Sequence, residues 1–363
     1  MARRKTLLQL LDELGPSVRK AFNAALSEIR SDVQFAALES AIRAGNITAA
    51  MDVINVNGAY FRQLDEALRA AHIAGGVWAT GEFKAMAKRQ GARVSGQFDT
   101  RNIRAESLLR SVSSEKVVQI VEGTRVAIRE TLETALRAGT SARATATLLV
   151  GNVGPTGVRV GGIVGLDSTK AAWVSGGYRA DGTFIKGMKG DLEMLDKNYF
   201  TRKLRDKRFD GMVRRSFAEG KPLNQTQIAK ITDRYTGRLQ KLRGEAISRT
   251  ELLKSLHAAQ DEGLQQIIDN GEVAADAIEE EWDASEDKAT RPTHAAADGQ
   301  KVIHGQPFTV GGFLMMYPGD ESLGAPAREI IQCRCVKRID INFMKGLKDR
   351  LTPEELAAAR SAM

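Results

Sequence analysis

Hydrophobic residues recur at helical spacing through most of the first 150 positions. Leu7, Leu8, Leu11 and Leu14 share one face of a predicted helix, and Gly15-Pro16 is expected to end it. Similar stripes predict further helices near residues 22–29, 36–44, 61–73 and 115–138. Predicted breaks lie at Gly45-Asn46, at Gly75-Gly76 and over 91–100.

Glycine interrupts this pattern over residues 151–165. The segment lacks the Gly-Lys-Ser/Thr that a phosphate-binding loop needs, so its glycines indicate a flexible link, a hinge or a turn. A helix is predicted from Asp167, and Gly176-Gly177 and Asp181-Gly182 break the chain after it. One long helix, or two joined end to end, is then predicted from about Asn224 to Asp269, with a stop at Asn270-Gly271.

The spacing changes from helical to alternating after Gly271. Residues 278–283 predict a strand with Trp282 pointing inward, and Asp298-Gly299 predicts a tight turn before residues 300–303. The remaining predicted elements are a short strand at 307–310 ended by Gly311-Gly312, a turn at Tyr317-Pro318-Gly319-Asp320, a last strand at 333–339, and a helix that starts at Thr352.

These elements predict an α+β protein: a mostly helical N-terminal and middle region with long helices, followed by a small β-rich C-terminal module. We predict four segments. They are a helical N-terminal domain at 1–150, a Gly-rich hinge and basic helical region at 151–242, the C-terminal module at 243–345, and a helical tail at 346–363.

Composition bears on partners and compartment. The net charge is +8 and the pI about 9.4, which suits contact with nucleic acid or with an acidic protein surface. The two cysteines stand in Cys333-Arg334-Cys335, which does not suggest a secreted disulfide scaffold. No apolar run reaches the ~18 residues of a membrane span, so no membrane contact is expected and a cytoplasmic site of synthesis is predicted.

The most basic stretch is 201–243, with 13 Lys or Arg against 4 Asp or Glu. Two interpretations remain open: a surface that contacts phosphates or an acidic partner, and a solvated helix face. The stretch has few aromatic residues that could stack on bases, which argues against sequence-specific recognition. The predicted contact residues are Arg202, Lys203, Arg205, Lys207, Arg208, Arg214 and Arg215.

Cys333 and Cys335 are predicted to lie on the same face of the last strand, because side chains alternate along a strand. With His294 or His304 brought across by the hairpin, they could approach a tetrahedral zinc site. Asp298 and Asp287 are weak candidates for a fourth ligand. The alternative is that both cysteines are buried hydrophobic residues and His294 is a hydrogen-bonding turn residue.

The same residues also invite catalytic interpretations. A Cys/His pair suggests a nucleophile, but no third orienting group is evident. Asp283, Asp287 and His294 could instead form a nuclease-like metal site. We predict a protein that is not an enzyme, and keep two alternatives: a metal-dependent nuclease or toxin-like enzyme, and a non-specific nucleic-acid-binding protein.

An ordered series of motifs carries a family resemblance over about residues 243–340. It resembles the C-terminal signature of the phage head morphogenesis family, the minor head proteins similar to protein F of phage Mu. The residues that carry it are Arg249-Thr250-Glu251, Trp282, Asp287, Thr290-Arg291-Pro292-Thr293-His294, Asp298-Gly299, Phe308, Tyr317-Pro318-Gly319-Asp320, Gly324-Ala325-Pro326-Ala327 and Cys333-Arg334-Cys335.

The resemblance implies a minor capsid component of a bacteriophage or prophage, made in the host cytoplasm and found in the virion. Its implied partners are the portal protein and the major capsid protein, with contact to packaged DNA left open. Relatives often carry a Cys-x-x-Cys near Arg291 to His294 and a His-Pro before the Cys-x-Cys, a set similar to a zinc site. Here Ile330-Ile331 replaces the His-Pro. The alternative is a polar set of Arg291, Asp287 and His294 that braces the hairpin.

Overall fold

The computed structural model describes residues 6–178 and 181–345, without the side chains of residue 109 and of residues 111–114. The helix predicted from Thr352 and the tail at 346–363 lie outside the described residues. The helices are α1 Leu7–Asp32, α2 Phe35–Arg43, α3 Ile47–Ile54, α4 Arg62–Arg89, α5 Ile103–Arg137, α6 Ala142–Val150, α7 Ser168–Ser175, α8 Met188–Glu193, α9 Asp210–Glu219, α10 Gln225–Asp269, α11 Pro292–Ala295 and α12 Ala327–Ile330. The strands are β1 Asn152–Val153, β2 Arg159–Val160, β3 Gly177–Tyr178, β4 Phe184–Ile185, β5 Ile278–Asp283, β6 Lys301–Ile303, β7 Phe308–Val310, β8 Phe313–Met315 and β9 Val336–Ile341.

The predicted fold class is confirmed. Helices account for 61% of the chain, and the C-terminal region carries small antiparallel sheets. The chain divides into two compact units. Within the described residues, unit 1 comprises residues 6–18, 66–114 and 246–345, and unit 2 comprises residues 19–65 and 115–245. The four segments predicted from the sequence stay predictions. The two compact units group residues by their contacts, and this grouping does not show which segment can fold by itself.

Unit 1 contains the C-terminal sheet, which has the strand order β6-β5-β9 and is antiparallel throughout. One core cluster joins Trp282, Phe308 and the two cysteines to Leu252 and Leu256 of α10. A second cluster joins β5 and β9 to α4 and α10; its largest members include Phe83, Leu264 and Ile341. The predicted strand at 278–283 is present, and Trp282 points inward as predicted, since it is fully buried.

Two predicted helix breaks in unit 1 are wrong. Helix α1 continues through Gly15-Pro16, and α4 continues through Gly75-Gly76. The carbonyl of Gly15 accepts a hydrogen bond of 2.8 Å from Ser248 Oγ, which ties this part of α1 to α10. A Cβ on Gly75 would lie 2.9 Å from Leu256 Cδ2, so glycine serves close helix packing there rather than a turn.

Local stop and turn signals are confirmed. Helix α2 ends before Gly45, and α10 ends before Asn270-Gly271, where Gly271 adopts a φ of +72°. The break predicted over 91–100 is irregular in structure. In the turn at 317–320, the Asp320 N–H donates to the Tyr317 carbonyl at 3.0 Å, and the Asp320 carboxylate accepts from Met316 N at 2.9 Å.

Unit 2 contains the Gly-rich segment, and the flexible link expected there is a packed hairpin. Strands β1 and β2 pair with Asn152 opposite Val160. The following residues Ile163, Val164 and Leu166 are fully buried. Gly162 has a φ of +72°, and a Cβ there would lie 2.4 Å from the Gly151 nitrogen, so this closure needs glycine. Asp167 caps α7 by accepting from Lys170 N, as predicted.

The last strand begins later than predicted. It starts at Val336, so Cys333 and Cys335 lie in the irregular segment before it. Gln332 adopts a left-handed φ of +58°, which prevents a regular strand at that point. None of the helices in residues 6–178 and 181–345 has the length and apolar character needed to cross a bilayer.

Candidate metal centre in the C-terminal module

Three metal-ligating residue types meet inside the C-terminal module. His294 comes from α11, a single turn that begins with Pro292, and both cysteines come from the segment before β9. All three are at least 98% buried, and both cysteines are free thiols. One ligand atom from each lies within 4.8 Å of the others, and this is the group able to hold a metal ion that occurs within the described residues.

The separations between these atoms fit a tetrahedral site. His294 Nδ1 lies 3.4 Å from Cys335 Sγ and 3.5 Å from Cys333 Sγ. At zinc, bonds of about 2.3 Å to sulfur and about 2.05 Å to nitrogen put ligand atoms about 3.5 Å apart at the tetrahedral angle. The two nitrogen–sulfur separations therefore match those that a shared zinc ion would require, and the two sulfur atoms lie within 4.8 Å of each other.

The electrostatics favour one thiolate. A hydrogen bond from Cys333 outweighs burial and, together with His294, lowers the pKa of Cys335 to about 5. The same pairing with Cys335, together with burial, raises the pKa of Cys333. A metal needs deprotonated cysteine ligands, so Cys335 is prepared to bind at neutral pH, and Cys333 would lose its proton as the ion arrives.

A carboxylate stands behind the histidine. Glu329 of α12 is buried, and its Oε2 lies 3.3 Å from His294 Nε2. Thr293 Oγ1 donates to the same oxygen at 2.8 Å. His294 Nε2 has no hydrogen bond of good angle within the described residues, so this carboxylate contact is its polar neighbour. Such an outer carboxylate orients a metal-binding histidine, with Nδ1 left to face the metal.

Aromatic rings close the site against water. Trp282 meets His294 edge to face with ring centres 5.4 Å apart, and meets Phe308 in the same way at 5.5 Å. Both cysteines belong to the core cluster that these rings share with α10. An enclosed position of this kind suits a structural metal or a packed core better than a reaction centre, which needs an open position for substrate.

The other proposed ligands lie elsewhere. His304 Nδ1 is 2.6 Å from Glu280 Oε1, and Asp298 Oδ1 accepts from Ala284 N at 2.7 Å. Asp287 is 2.5 Å from Arg334 Nη2, rather than paired with Arg291 as the brace hypothesis had it. Arg291 instead donates to the Ile331 carbonyl. None of these side chains joins the group of His294, Cys333 and Cys335 in the described residues.

The nuclease-like set does not converge either. Asp283 Oδ2 is 2.8 Å from Arg338 Nε, and Asp287 is engaged by Arg334. Of the three residues in that hypothesis, only His294 belongs to the metal-capable group found in the described part of the chain.

Several motif residues hold the module together. Thr250 of α10 accepts a hydrogen bond of 3.0 Å at Oγ1 from Gln332 N, which anchors the segment before Cys333. Arg249 lies 3.7 Å from Asp12 of α1, and Glu251 is buried. Gly299 adopts a φ of +71° at the predicted turn, and Gly319 one of +93° beside Pro318. The motif thus connects α10 to the turns around the site.

A buried ionic network was missed by sequence reasoning. Lys337 of β9 is almost fully buried, contacts Asp261, and lies 3.1 Å from Glu280 Oε2. Burial acts to lower the pKa of Lys337, but the two carboxylates outweigh it and raise that pKa. The available signal was positional: Glu280 and Lys337 occupy the inward-facing positions of their strands, beside Trp282 and Ile339.

Three of the seven predicted contact residues are paired with carboxylates inside unit 2. Arg202, Arg205 and Arg208 form ion pairs with Asp191, Asp210 and Asp206 at 2.5, 3.1 and 2.6 Å, respectively. Arg214 lies over the Phe200 ring at 5.7 Å. Lys203, Lys207 and Arg215 are exposed. Contact of these seven residues with an acidic partner stays a prediction.

Comparison with known proteins gives one family. The family model described as Phage Mu protein F like protein matches residues 207–338, over a third of the chain. The resemblance inferred from the motifs is thus confirmed for this part, and it extends from the C-terminal module through α10 to the start of α9. No curated protein and no solved structure matches the chain.

Proposed function

We propose, from the family match over residues 207–338, that this protein is a minor head protein of a bacteriophage or prophage with a role in head morphogenesis. Its place is the virion, and the host cytoplasm during assembly. Its partners are the portal protein and the major capsid protein. The single observation that carries this proposal is the match itself, which spans the buried core around Trp282 and the cysteines.

The geometry of the module supports a structural role and not an enzymatic one. Its potential metal ligands, His294 and the two cysteines, are buried beside Trp282 and Phe308. Charged residues of the module form ion pairs with one another, such as Asp283 with Arg338. Internal ion pairs and a shared core hold the strands and turns of the module in one arrangement, which suits a rigid docking unit on a portal or shell. The long helices α4, α5 and α10 supply further surface for such partners.

Zinc fits this role as a brace. His294, Cys333 and Cys335 would hold the ion, and Glu329 would orient His294. The ion would link α11 to the segment before β9. It would add stability to a module whose short strands bury little apolar area. The alternative of packing alone uses the same buried residues without an ion.

Co-sedimentation tests the assembly role. The full-length chain would be mixed with portal rings and, separately, with heads of the same phage, and centrifuged through sucrose. We expect the chain to sediment with one or both, and an unrelated basic protein of similar size to remain at the top. A chain that stays at the top with both partners contradicts the proposal.

A further inference from the structure

A groove lined by basic side chains lies within unit 2. It has a volume of about 1310 Å³ and is bordered by the N-terminal half of α10, the β1–β2 hairpin and the end of α1. We call it the basic groove and define it by six cations: Arg30, Arg159, Lys230, Arg234, Arg238 and Lys241. Among these six in the described structure, Arg238 pairs with a carboxylate that also lines the groove, Asp206 at 3.4 Å; a further lining cation, Arg208, pairs with the same Asp206 at 2.6 Å.

Arg30 is the feature that points to a ligand. This side chain of α1 is 91% buried, yet no carboxylate within the described residues pairs with it. Its Nε has no hydrogen-bond partner there, and its Nη1 reaches only the Gly161 carbonyl at 3.4 Å. A guanidinium keeps its charge when buried, so an unpaired one is costly unless an anion meets it. The burial is strong enough to lower the pKa of Arg30.

Helix α10 adds a linear array of charge. Lys230, Arg234, Arg238 and Lys241 follow one another at intervals of four, four and three residues, so they share one helix face. The four cations extend over about 16 Å of the helix, at 1.5 Å per residue. The volume of the basic groove also exceeds the roughly 300–1,000 Å³ of a small-molecule pocket. Both features suit an extended polyanion.

The opposite wall is held in place by close contacts. Arg159 of β2 donates to the Gly151 carbonyl at 3.0 Å and lies 4.7 Å from the centre of the Phe35 ring. Gly161 has a φ of +77°, and a Cβ there would lie 2.2 Å from Asp233 Oδ1. Glycine thus lets the hairpin close tightly against α10, beside the buried Arg30.

The two acidic residues of the groove do not cancel this charge. Asp206 is already shared between Arg208 at 2.6 Å and Arg238 at 3.4 Å. Asp233 accepts a hydrogen bond of 2.8 Å from Asn152 Nδ2, and burial raises the pKa of its carboxyl. The groove therefore stays strongly positive beside them.

We propose that the basic groove binds the phosphodiester backbone of DNA without reading its sequence, with Arg30 meeting one phosphate at the floor. Among the described residues that line the groove none is aromatic, so bases have nothing to stack on and a bound protein would lack the aromatic anchors typical of interfaces. Repeated cations without such anchors favour phosphates over an acidic peptide. This site deepens the proposed function by naming the DNA-contacting residues, but its test needs neither portal nor head.

Fluorescence anisotropy of the full-length chain with a labelled duplex of about 20 base pairs tests the groove. Six phosphate contacts predict that the binding constant falls about 10³-fold between about 50 and 200 mM salt. The double variant Lys230→Ala/Arg234→Ala removes two exposed cations, and we expect the logarithmic salt slope to shrink by about 2. A wild-type chain that does not bind the duplex at about 50 mM salt overturns the proposal.

The matched control is Lys203→Ala/Arg215→Ala, which removes the same two residue types from exposed positions of unit 2 outside the groove. We expect it to keep the wild-type slope. Equal losses in both double variants would mean that overall charge, or the stretch 201–215, binds DNA, and would contradict the groove. A poly-glutamate peptide that competes as well as unlabelled duplex would assign the groove to an acidic protein instead.

Arg30 needs a separate test, because a cation near the end of α1 could simply offset the helix dipole. Arg30→Met keeps the length of the side chain without its charge. If Arg30 meets a phosphate, the variant binds the duplex more weakly while its thermal midpoint without DNA stays the same or rises. A lower midpoint with unchanged DNA affinity would make Arg30 a helix cap and remove it from the site. Failure of portal or head binding would leave both results unaffected.

Discussion

Removal of one thiolate ligand is the sharpest test of the candidate metal centre. Cys335→Ser replaces the thiol whose pKa is about 5 by a hydroxyl that does not ionise at neutral pH. His294 Nδ1 and Cys333 Sγ stay in place, 3.5 Å apart in the wild-type chain. Because two ligands hold zinc far less well than three, the variant is expected to lose the ion while it keeps most of its packing.

The magnitude follows from linkage between binding and folding. Zinc at about a thousand times its Kd stabilises the folded form by about 4 kcal/mol. In a unit of this size each kcal/mol moves Tm by roughly 2–4 °C, so zinc raises the Tm of the wild-type chain by roughly 8–16 °C. Cys335→Ser should reduce this zinc-dependent shift to a few degrees.

The assay combines metal analysis with thermal melting. The wild-type chain would be purified with zinc, divided, and melted with and without EDTA, and its zinc measured by mass spectrometry. The expected result is one zinc per chain and an EDTA-sensitive Tm, both lost in Cys335→Ser. The control His304→Gln alters a histidine that lies with Glu280 outside the metal group, so it should melt lower yet keep its zinc.

The pH dependence has a definite sign. The pKa of Cys335 in the folded chain lies below the 9.0 of an unperturbed thiol, so its ionisation stabilises the folded state at high pH. That contribution grows between about pH 5 and pH 9 and is lost as the pH falls through about 5. Above pH 9 the raised pKa of Cys333 acts in the opposite sense, because the folded chain keeps that thiol protonated. Zinc should be released over the lower part of this range. The metal centre is refuted if the wild-type chain contains no zinc and its Tm at pH 7 is unchanged by EDTA. Packing would then be the role of these residues.

Three further substitutions test the core of unit 1. Lys337→Met leaves the buried Glu280 and the partly buried Asp261 without their shared cation and should cost about 3–5 kcal/mol of unfolding free energy in urea titration; a change below about 1 kcal/mol would show the network to be solvated. Trp282→Ala should cost about 3–5 kcal/mol in the same titration and widen access to the cysteines, measured by thiol labelling; unchanged labelling would contradict the enclosed site. Gly75→Val should destabilise by about 1–3 kcal/mol because its side chain meets α10, and a neutral result in thermal melting would mean that α4 and α10 are less closely packed.

Elements that depend on near neighbours follow from the order of residues alone. Asn270-Gly271 ends α10 and Asp167 caps α7. The turn at 317–320 is closed by a backbone hydrogen bond, and the Asp320 carboxylate accepts from the residues that flank it. Such signals act through hydrogen bonds between near neighbours, which the order of residues already specifies. The alternating pattern likewise placed Trp282 inside, and the ordered motifs indicated the family before any geometry was known.

Features that depend on residues far apart in the chain appear only in the folded protein. Gly15-Pro16 and Gly75-Gly76 have the composition of breaks, yet both lie inside helices, where Gly15 and Gly75 contact α10. The arginines of the basic stretch carry charge in the sequence, yet Asp191 and Asp210 neutralise two of them. In the basic groove, Arg30 Nη1 lies 3.4 Å from the Gly161 carbonyl, although the two residues are 131 positions apart. Whether a charged side chain is paired, and whether a glycine ends a helix, therefore depend on residues that are distant in the sequence and close in the fold. Local sequence does not show which residues these are.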